Sequence, residues 1–438
     1  MITSFFKGGT VLPWFLGTIL AVVLLTQCKK DDGPRNEDRP SNQSSEVLQK
    51  WMSLQIRLMK NTTGVPNQAF SRHFGYSGVA ALESIAPGIP GSSIWKNKWN
   101  GLTGLPTVDH SAHYYYPANV NAAMAAINRS FFPNANAADK AAIDSLELAL
   151  NESFLTTQPV AKITKSNDFG KAVAAAVFAW SETDGSKNAN APYTVPTGPG
   201  LWKPTPPALA PPATPYWGNN RTIVSGSTSN TLPIAPPAFS TDPSSPFFLM
   251  VKKVYDASLI LTDDQKAMAM FWRDVPGTSS PGHWLSILLI TADKTDVKLD
   301  KAALAYALTG AAVHDGLISC WKGKFQYNLI RPVTYIRETM GYAEWNSFIG
   351  TPAHPEYPSA HSSLSGAAAG VLEKLFGNIG TITDDTYVYL GFGARTYPSF
   401  NAIAEEAGIS RLYGGIHYEQ SIDQGLLLGK KVANNIFK

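Results

Sequence analysis

The stretch 355–370, PEYPSAHSSLSGAAAG, decides how this chain is read. Pro355 and Pro358 keep the backbone before it out of a helix. Ala367, Ala368, Ala369 and Leu372 then favour one. Ser359 and His361 therefore fall at the start of a helix, where the N–H groups of residues 360 and 361 lack intrahelical partners. Free donors and the positive end of the helix dipole suit an anion. Read alone, the same residues also describe an ordinary serine cap beside an unrelated histidine, so the choice depends on two further segments.

The first is 324–332, KFQYNLIRP. Lys324 and Arg331 are two helical turns apart, so one helix through both would aim them the same way, with Pro332 disturbing or ending it. Two cations on one face suit a tetrahedral oxyanion, arginine by paired hydrogen bonds and lysine as a mobile point charge. A solvated basic face would have the same composition. The second is 410–417, SRLYGGIH. It adds Arg411, a Gly414–Gly415 pair that permits a tight turn, and His417. That histidine could be a nucleophile or a ligand to the central atom of an oxyanion. A lone histidine is more often a packing residue, but three such segments together are hard to explain that way.

In this order, Lys-x6-Arg-Pro, Pro-Ser-x-His and Ser-Arg-x3-Gly-x-His resemble the superfamily of vanadium-dependent haloperoxidases and type-2 phosphatidic acid phosphatases. The matching residues are Lys324, Arg331, Pro332, Pro358, Ser359, His361, Ser410, Arg411, Gly415 and His417. A wider similarity to bacterial haloperoxidase-like proteins runs through Phe271-Trp-Arg-Asp-Val-Pro-Gly-Thr and Gly282-His-Trp. The resemblance implies that Lys324, Arg331 and Arg411 neutralise the equatorial oxygens of vanadate or phosphate. Ser359 and the N–H of Ala360 would hydrogen-bond those oxygens. His417 would bind vanadium axially or attack phosphorus, and His361 would be the acid–base group at the opposite apex. Asp274 resembles a supporting carboxylate that pairs with the site arginines. Preorganised cations and donors of this kind stabilise a trigonal-bipyramidal centre.

Two positions depart from the family pattern. Ala360 stands where glycine is frequent, but its N–H survives. Ser421 stands where an aspartate often follows the last histidine by four residues, with Glu419 and Asp423 nearby, which leaves open what orients His417. His354, five residues before Ser359, occupies a place near the halide in the haloperoxidases. A histidine there resembles the bromoperoxidase pattern and favours bromide or iodide over chloride; a surface histidine is the plain alternative.

The motif does not separate haloperoxidase from phosphatase, because vanadate mimics the phosphoryl-transfer transition state. Context favours the haloperoxidase, since after residue 28 no uninterrupted apolar span of membrane length remains. The expected enzyme binds vanadate as cofactor and oxidises halide with hydrogen peroxide. The alternatives are an acid phosphatase with a phosphohistidine intermediate and a surface lipoprotein that binds glycan without catalysis. Net charge of +3 without a long basic stripe gives no support to nucleic-acid binding. His110 and His113 lie three apart but lack the further ligands of a zinc site.

The remaining chain gives the architecture. Residues 1–28 read as a lipoprotein signal peptide with Cys28 as the lipidated residue, implying membrane anchorage in a cell envelope, on the periplasmic or the external face. The start Cys28-Lys-Lys-Asp-Asp is similar to Bacteroidetes lipoproteins. Residues 29–45 read as a flexible tether, and 46–438 as one helical catalytic domain whose motifs lie in 262–438. Apolar residues at helical spacing predict helices from residue 46 and over 70–85, 118–131, 137–155, 169–180, 262–273, 284–291, 299–320, 362–376, 400–412 and 420–437. Residues 192–246, rich in proline, glycine and tryptophan, predict a long ordered loop, for example a wall over a pocket. The expected fold is mainly α, a large helical bundle of the vanadium chloroperoxidase and type-2 phosphatidic acid phosphatase kind.

Overall fold

The computed structural model describes residues 39–91, 95, 97–109, 113–275 and 278–438. The leader 1–28 with Cys28, the tether to residue 38, His110, Pro276 and Gly277 lie outside the described residues. Residues 39–45, expected to be the end of the tether, are packed on the body instead. Pro40 is buried, Ser44 bridges to Lys298, and the Gln43 carbonyl accepts from the Leu299 N–H at 3.1 Å.

The fold is a helical bundle. Helices α1 (Glu46–Asn61), α2 (Asn67–Ile85), α3 (Tyr116–Phe131), α4 (Ala137–Leu155) and α5 (Val160–Ser181) form its first half. After the long loop come α6 (Pro246–Leu259), α7 (Asp263–Phe271), α8 (Ser280–Thr295) and the 29-residue α9 (Leu299–Tyr327). Helices α10 (Pro332–Glu338), α11 (Ala360–Phe376), α12 (Phe400–Tyr413) and α13 (Glu419–Ile436) complete it. A short antiparallel ribbon of β1 (Ile382–Asp384) and β2 (Arg395–Tyr397) joins α11 to α12.

Helix α9 is the axis of the bundle, packed on α2 along one side and α11 along another. Small residues set these distances. A Cβ on Gly78 of α2 would lie 2.7 Å from the Ala307 Cα of α9. A Cβ on Gly425 of α13 would lie 2.7 Å from the Ser359 carbonyl, so that glycine fixes how closely α13 approaches the start of α11. The alanines of α9 and Ala367, Ala368 and Ala369 of α11 are fully buried between these backbones, which gives close packing without long side chains.

Two helices depart from the sequence reading, both for the same reason. Helices α6 and α10 each begin with proline in the first turn, Pro246 after the Ser245 cap and Pro332 after Arg331. Proline stops a helix that approaches it but starts one that leaves it, because its missing N–H has no partner to lose there. The shared helical face expected for Lys324 and Arg331 is therefore absent. Helix α9 runs past Cys320 through Lys324 and ends at Asn328, whose φ of 44° is left-handed, while Arg331 is the N-cap of α10. Phe247, Val251 and Val254 of α6 pack with Tyr335 and Ile336 of α10 and with Tyr418 and Ile422, a second apolar cluster beneath this corner. Each such side chain contributes about 1.5–3 kcal/mol on burial.

The 192–246 segment is an ordered loop, with Trp202 and Trp217 buried. It does not wall the cleft described below, whose described lining residues include none of it. It is clamped to α9 instead. The buried Asp315 carboxylate accepts from the Ile223 N–H (2.7 Å), the Val224 N–H (3.0 Å) and the Ser227 hydroxyl (2.7 Å). Among the described residues no helix is long and apolar enough to cross a membrane.

Candidate active site

The three motif segments converge at one end of α9. Its last turns carry Trp321 and Lys324. The 354–359 turn crosses them and enters α11 at Ser359, and the α12–α13 junction supplies Arg411 and His417. Gly415, at φ 75°, turns the chain back after α12 and delivers His417 to the same corner. A narrow cleft of about 60 Å³ opens here, bordered by Asp274, Trp321, His354, Ala360, His361 and His417, with Asn67 and Gln68 of α2 opposite.

Lys324, Arg331 and Arg411 are all buried, and among the described residues none forms an ion pair with a carboxylate. Lys324 Nζ donates to the carbonyls of Pro355 (3.0 Å), Glu356 (3.0 Å) and Pro358 (2.6 Å). All three of its donors thus staple the turn that carries Ser359. Arg331 donates to the His354 and Ile416 carbonyls (2.9 and 2.8 Å) and to His354 Nδ1 (3.0 Å). Arg411 donates to the Trp272 carbonyl, and its Nε is buried without a partner. Burial disfavours the charged forms and outweighs the pull of Glu356 on Lys324 and Arg331 and of Asp274 on both arginines. It pushes Lys324 down to about 7 and each arginine to about 10.

Helix α11 adds neutral donors. Ser359 caps it, its Oγ accepting from the Ser362 N–H (3.4 Å) and hydroxyl (3.0 Å), so its own proton is available to a ligand. The N–H groups of Ala360 and His361 occupy the first turn, where helix geometry gives them no acceptor. The turn's φ values are ordinary for Ala360, so alanine fits where glycine is frequent. His354, His361 and His417 are all held well below the usual imidazole value, by burial first and then by the cations around them. All three rings are neutral at pH 7 and add no charge to that of the cations.

Asp274 lies where the sequence places it but pairs differently. Its Oδ1 is 3.7 Å from His361 Nε2, and among the described residues it makes no ion pair with either arginine; these donate to the His354, Ile416 and Trp272 carbonyls. Burial raises its pKa against the pull of Arg411 and Arg331, a rise limited by the 41% exposure of its side chain. His354 is a buried neighbour of the cradle, tilted against Trp321 with ring centroids 4.9 Å apart, and not a surface residue.

Comparison with known proteins agrees with this architecture. The sequence model of the VCPO second helical-bundle domain matches residues 304–438. A crystal structure described as the first bacterial vanadium-dependent iodoperoxidase is 31% identical to the chain, covers 91% of it over 97% of its own length, and superposes with a TM-score of 0.79. The chain belongs to the vanadium-dependent haloperoxidase superfamily. Bacterial vanadium-dependent chloroperoxidase structures share the fold at 18% identity: the holo form covers 84% of this chain and 92% of its own, TM-score 0.61, and the apo form 86% and 96%, TM-score 0.63. No curated protein matches the chain.

Vanadate is the group this haloperoxidase superfamily implies, and the residues present fit it. Three buried cations without carboxylate partners, an orphaned Arg411 Nε and a helix N-terminus together favour a tetrahedral anion of multiple charge. One residue of the haloperoxidase corner is not among those the sequence reading selected. Glu356 is fully buried, and its Oε1 accepts from His417 Nδ1 at 2.8 Å and from the Tyr418 N–H at 2.9 Å. Burial raises it to about 7 against the pull of Arg331 and Lys324. The available signal was a carboxylate between two prolines, inside the very stretch that carries Ser359, where its backbone is too constrained to expose it.

Proposed function

We propose that this protein is a vanadium-dependent haloperoxidase that oxidises iodide or bromide with hydrogen peroxide: halide, peroxide and one proton give hypohalous acid and water. The observation that carries the reading is the cradle itself, with Lys324, Arg331 and Arg411 buried together and donating only to uncharged groups. Arg331 and Arg411 would hold the oxygens of vanadate with Ser359 and the Ala360 N–H, Lys324 would add its charge from behind the turn it staples, and His417 would be the ring-nitrogen ligand. Bound vanadate supplies a Lewis acid that polarises peroxide without changing its own oxidation state.

The chain's residues then have distinct tasks. His361, neutral at the mouth of the cleft with Asp274 at 3.7 Å, can accept a proton from peroxide and return it to departing water. Asp274 and the Trp272 carbonyl stabilise the imidazolium formed in between. His354 and Trp321 border the halide side, where a neutral ring hydrogen-bonded to Arg331 suits a large, weakly hydrated anion. The likeness to an iodoperoxidase supports the same halide class.

A phosphatase would use the same cradle, with His417 as nucleophile and His361 protonating the leaving group. The assay that decides between them follows peroxide-dependent iodide and bromide oxidation with and without orthovanadate, beside hydrolysis of p-nitrophenyl phosphate. Vanadate-dependent halide oxidation, abolished in His417→Ala, is expected. Ester hydrolysis inhibited by vanadate, with no halide oxidation, would assign the phosphatase.

A further inference from the structure

Position 421 faces the same corner as Glu356. Ser421 sits on the first turn of α13, its carbonyl accepting from the Ser359 N–H at 3.1 Å. Its hydroxyl is buried without a hydrogen-bond partner among the described residues, and so is the second carboxylate oxygen of Glu356, Oε2. The carboxylate that an aspartate at 421 would bring from α13 is thus brought from the opposite side, by the turn ahead of α11.

The Glu356 side chain has little freedom. Its N–H donates to the Leu329 carbonyl at 2.9 Å and its carbonyl accepts from Lys324 Nζ at 3.0 Å, so the backbone is held on both edges. His417 is held on both ring nitrogens. Nδ1 faces Glu356 Oε1 at 2.8 Å, and Nε2 lies 3.4 Å from Arg331 Nη1. A guanidinium cannot accept a hydrogen bond. Nε2 must then present its lone pair, and Nδ1 must carry the proton and give it to Glu356.

We infer that Glu356 is the positioning residue of His417, fixing its tautomer and ring plane so that the Nε2 lone pair faces the oxyanion, and that it takes over this task from the carboxylate position at 421. The inference rests on the oxyanion reading of the cradle, with His417 as axial ligand or nucleophile. A carboxylate behind a ligating histidine orients the ring and raises its basicity, and losing one costs about 10–100-fold in affinity. An aspartate at 421 would approach the same ring from a different element, so on this inference the carboxylate can be moved between the two positions.

The test is orthovanadate affinity by calorimetry on the whole protein, with the ring-nitrogen NMR shifts of His417 as an independent readout. His417→Ala identifies its resonances. Glu356→Gln keeps an oxygen for the Tyr418 N–H and preserves the fold, which circular dichroism checks. It is expected to weaken vanadate by about 10–100-fold. Glu356→Ala is expected to weaken it as much and to release the ring into a mixture of tautomers. Glu356→Ala with Ser421→Asp should regain at least about tenfold of that loss and restore the single tautomer. Unchanged affinity in Glu356→Gln, no recovery in the double variant, or an Nε2–H tautomer in the wild type would each overturn the inference. Failure of the wild type to bind orthovanadate at all would instead strike the cradle reading, and the tautomer result would still judge Glu356.

Discussion

Two buried arginine clusters in this molecule are opposites. Arg72 on α2 donates to Asp184 at 2.7 Å, to Glu182 at 3.1 Å and to the Ser181 carbonyl at 2.6 Å. Its charge is matched inside the protein, and Asp184 is held below the usual carboxylate range by Arg72 despite burial. Arg331 and Arg411 are as deeply buried but donate to backbone carbonyls and a neutral histidine, and one Arg411 nitrogen has no partner. Carbonyl dipoles satisfy donors without cancelling charge. The first cluster is complete as it stands, whereas the second retains positive charge for which an external anion is the natural partner. A buried cation by itself is therefore not evidence of a site; the kind of group that satisfies it is what separates structure from function.

The strongest way to break this contrast is to remove one cation from each cluster. Arg411→Met should lower turnover by about 10²–10³-fold, the cost of losing one preorganised transition-state donor. Its folding stability should change by less than about 1 kcal/mol, because relief of an unmatched charge offsets a lost hydrogen bond. Arg72→Met should do the reverse, leaving ligand affinity intact while destabilising by about 3–5 kcal/mol, since Asp184 is left buried and unpaired. Denaturant unfolding beside steady-state kinetics checks both; equal stability losses in the two variants would erase the distinction.

A second prediction sharpens it. Orthovanadate or phosphate at a hundred times its dissociation constant should stabilise the protein by about 2.7 kcal/mol, seen as a raised melting temperature. The shift should vanish in Arg411→Met and persist in conservative variants at the Arg72 cluster.

The sequence made the cradle legible through the order and types of its residues. Lys324, Arg331, Ser359, Ala360, His361, Arg411 and His417, read from three segments, meet at one corner of the bundle. What it hid were relations between segments. Glu356 lies 61 positions from His417, and no local periodicity connects them. Asp274 was expected to pair with the arginines, but it lies against His361 while the arginines donate to the carbonyls of Trp272, His354 and Ile416, and backbone carbonyls carry no side-chain identity to read. The helices of α9 and α11 were clear from their alanine-rich spacing, whereas α6 and α10 were obscured by the prolines that begin them.

Proton linkage gives a smaller effect. Burial puts Lys324 at about 7 in the folded protein, against 10.5 for a free lysine. Between those values the unfolded chain holds a proton that the empty folded protein has released, so Lys324 lets stability rise with pH across that window. A bound anion favours the ammonium, so binding there takes up a proton and affinity falls as pH rises above about 7, by at most about tenfold per unit. Sulfate, whose own charge is constant in this range, is the probe, and calorimetry in buffers of different ionisation enthalpy counts the proton. An affinity flat to alkaline pH would mean that Lys324 stays charged without a ligand.

The smallest effect is expected at Ala360. Its backbone is helical and on this account only its N–H would meet the anion, so Ala360→Gly should leave turnover within about twofold, with a stability cost of about 0.5–1 kcal/mol or less at this first-turn position. A large gain in activity would show that the methyl group obstructs the cleft it borders.

The most direct test of the account is calorimetric titration of orthovanadate into the wild-type protein and Arg411→Met, with phosphate as competitor. One-to-one binding that phosphate displaces, and that Arg411→Met loses, is the predicted result. Absence of binding, or binding undiminished in Arg411→Met, would contradict the claim that the unmatched cations form the functional site.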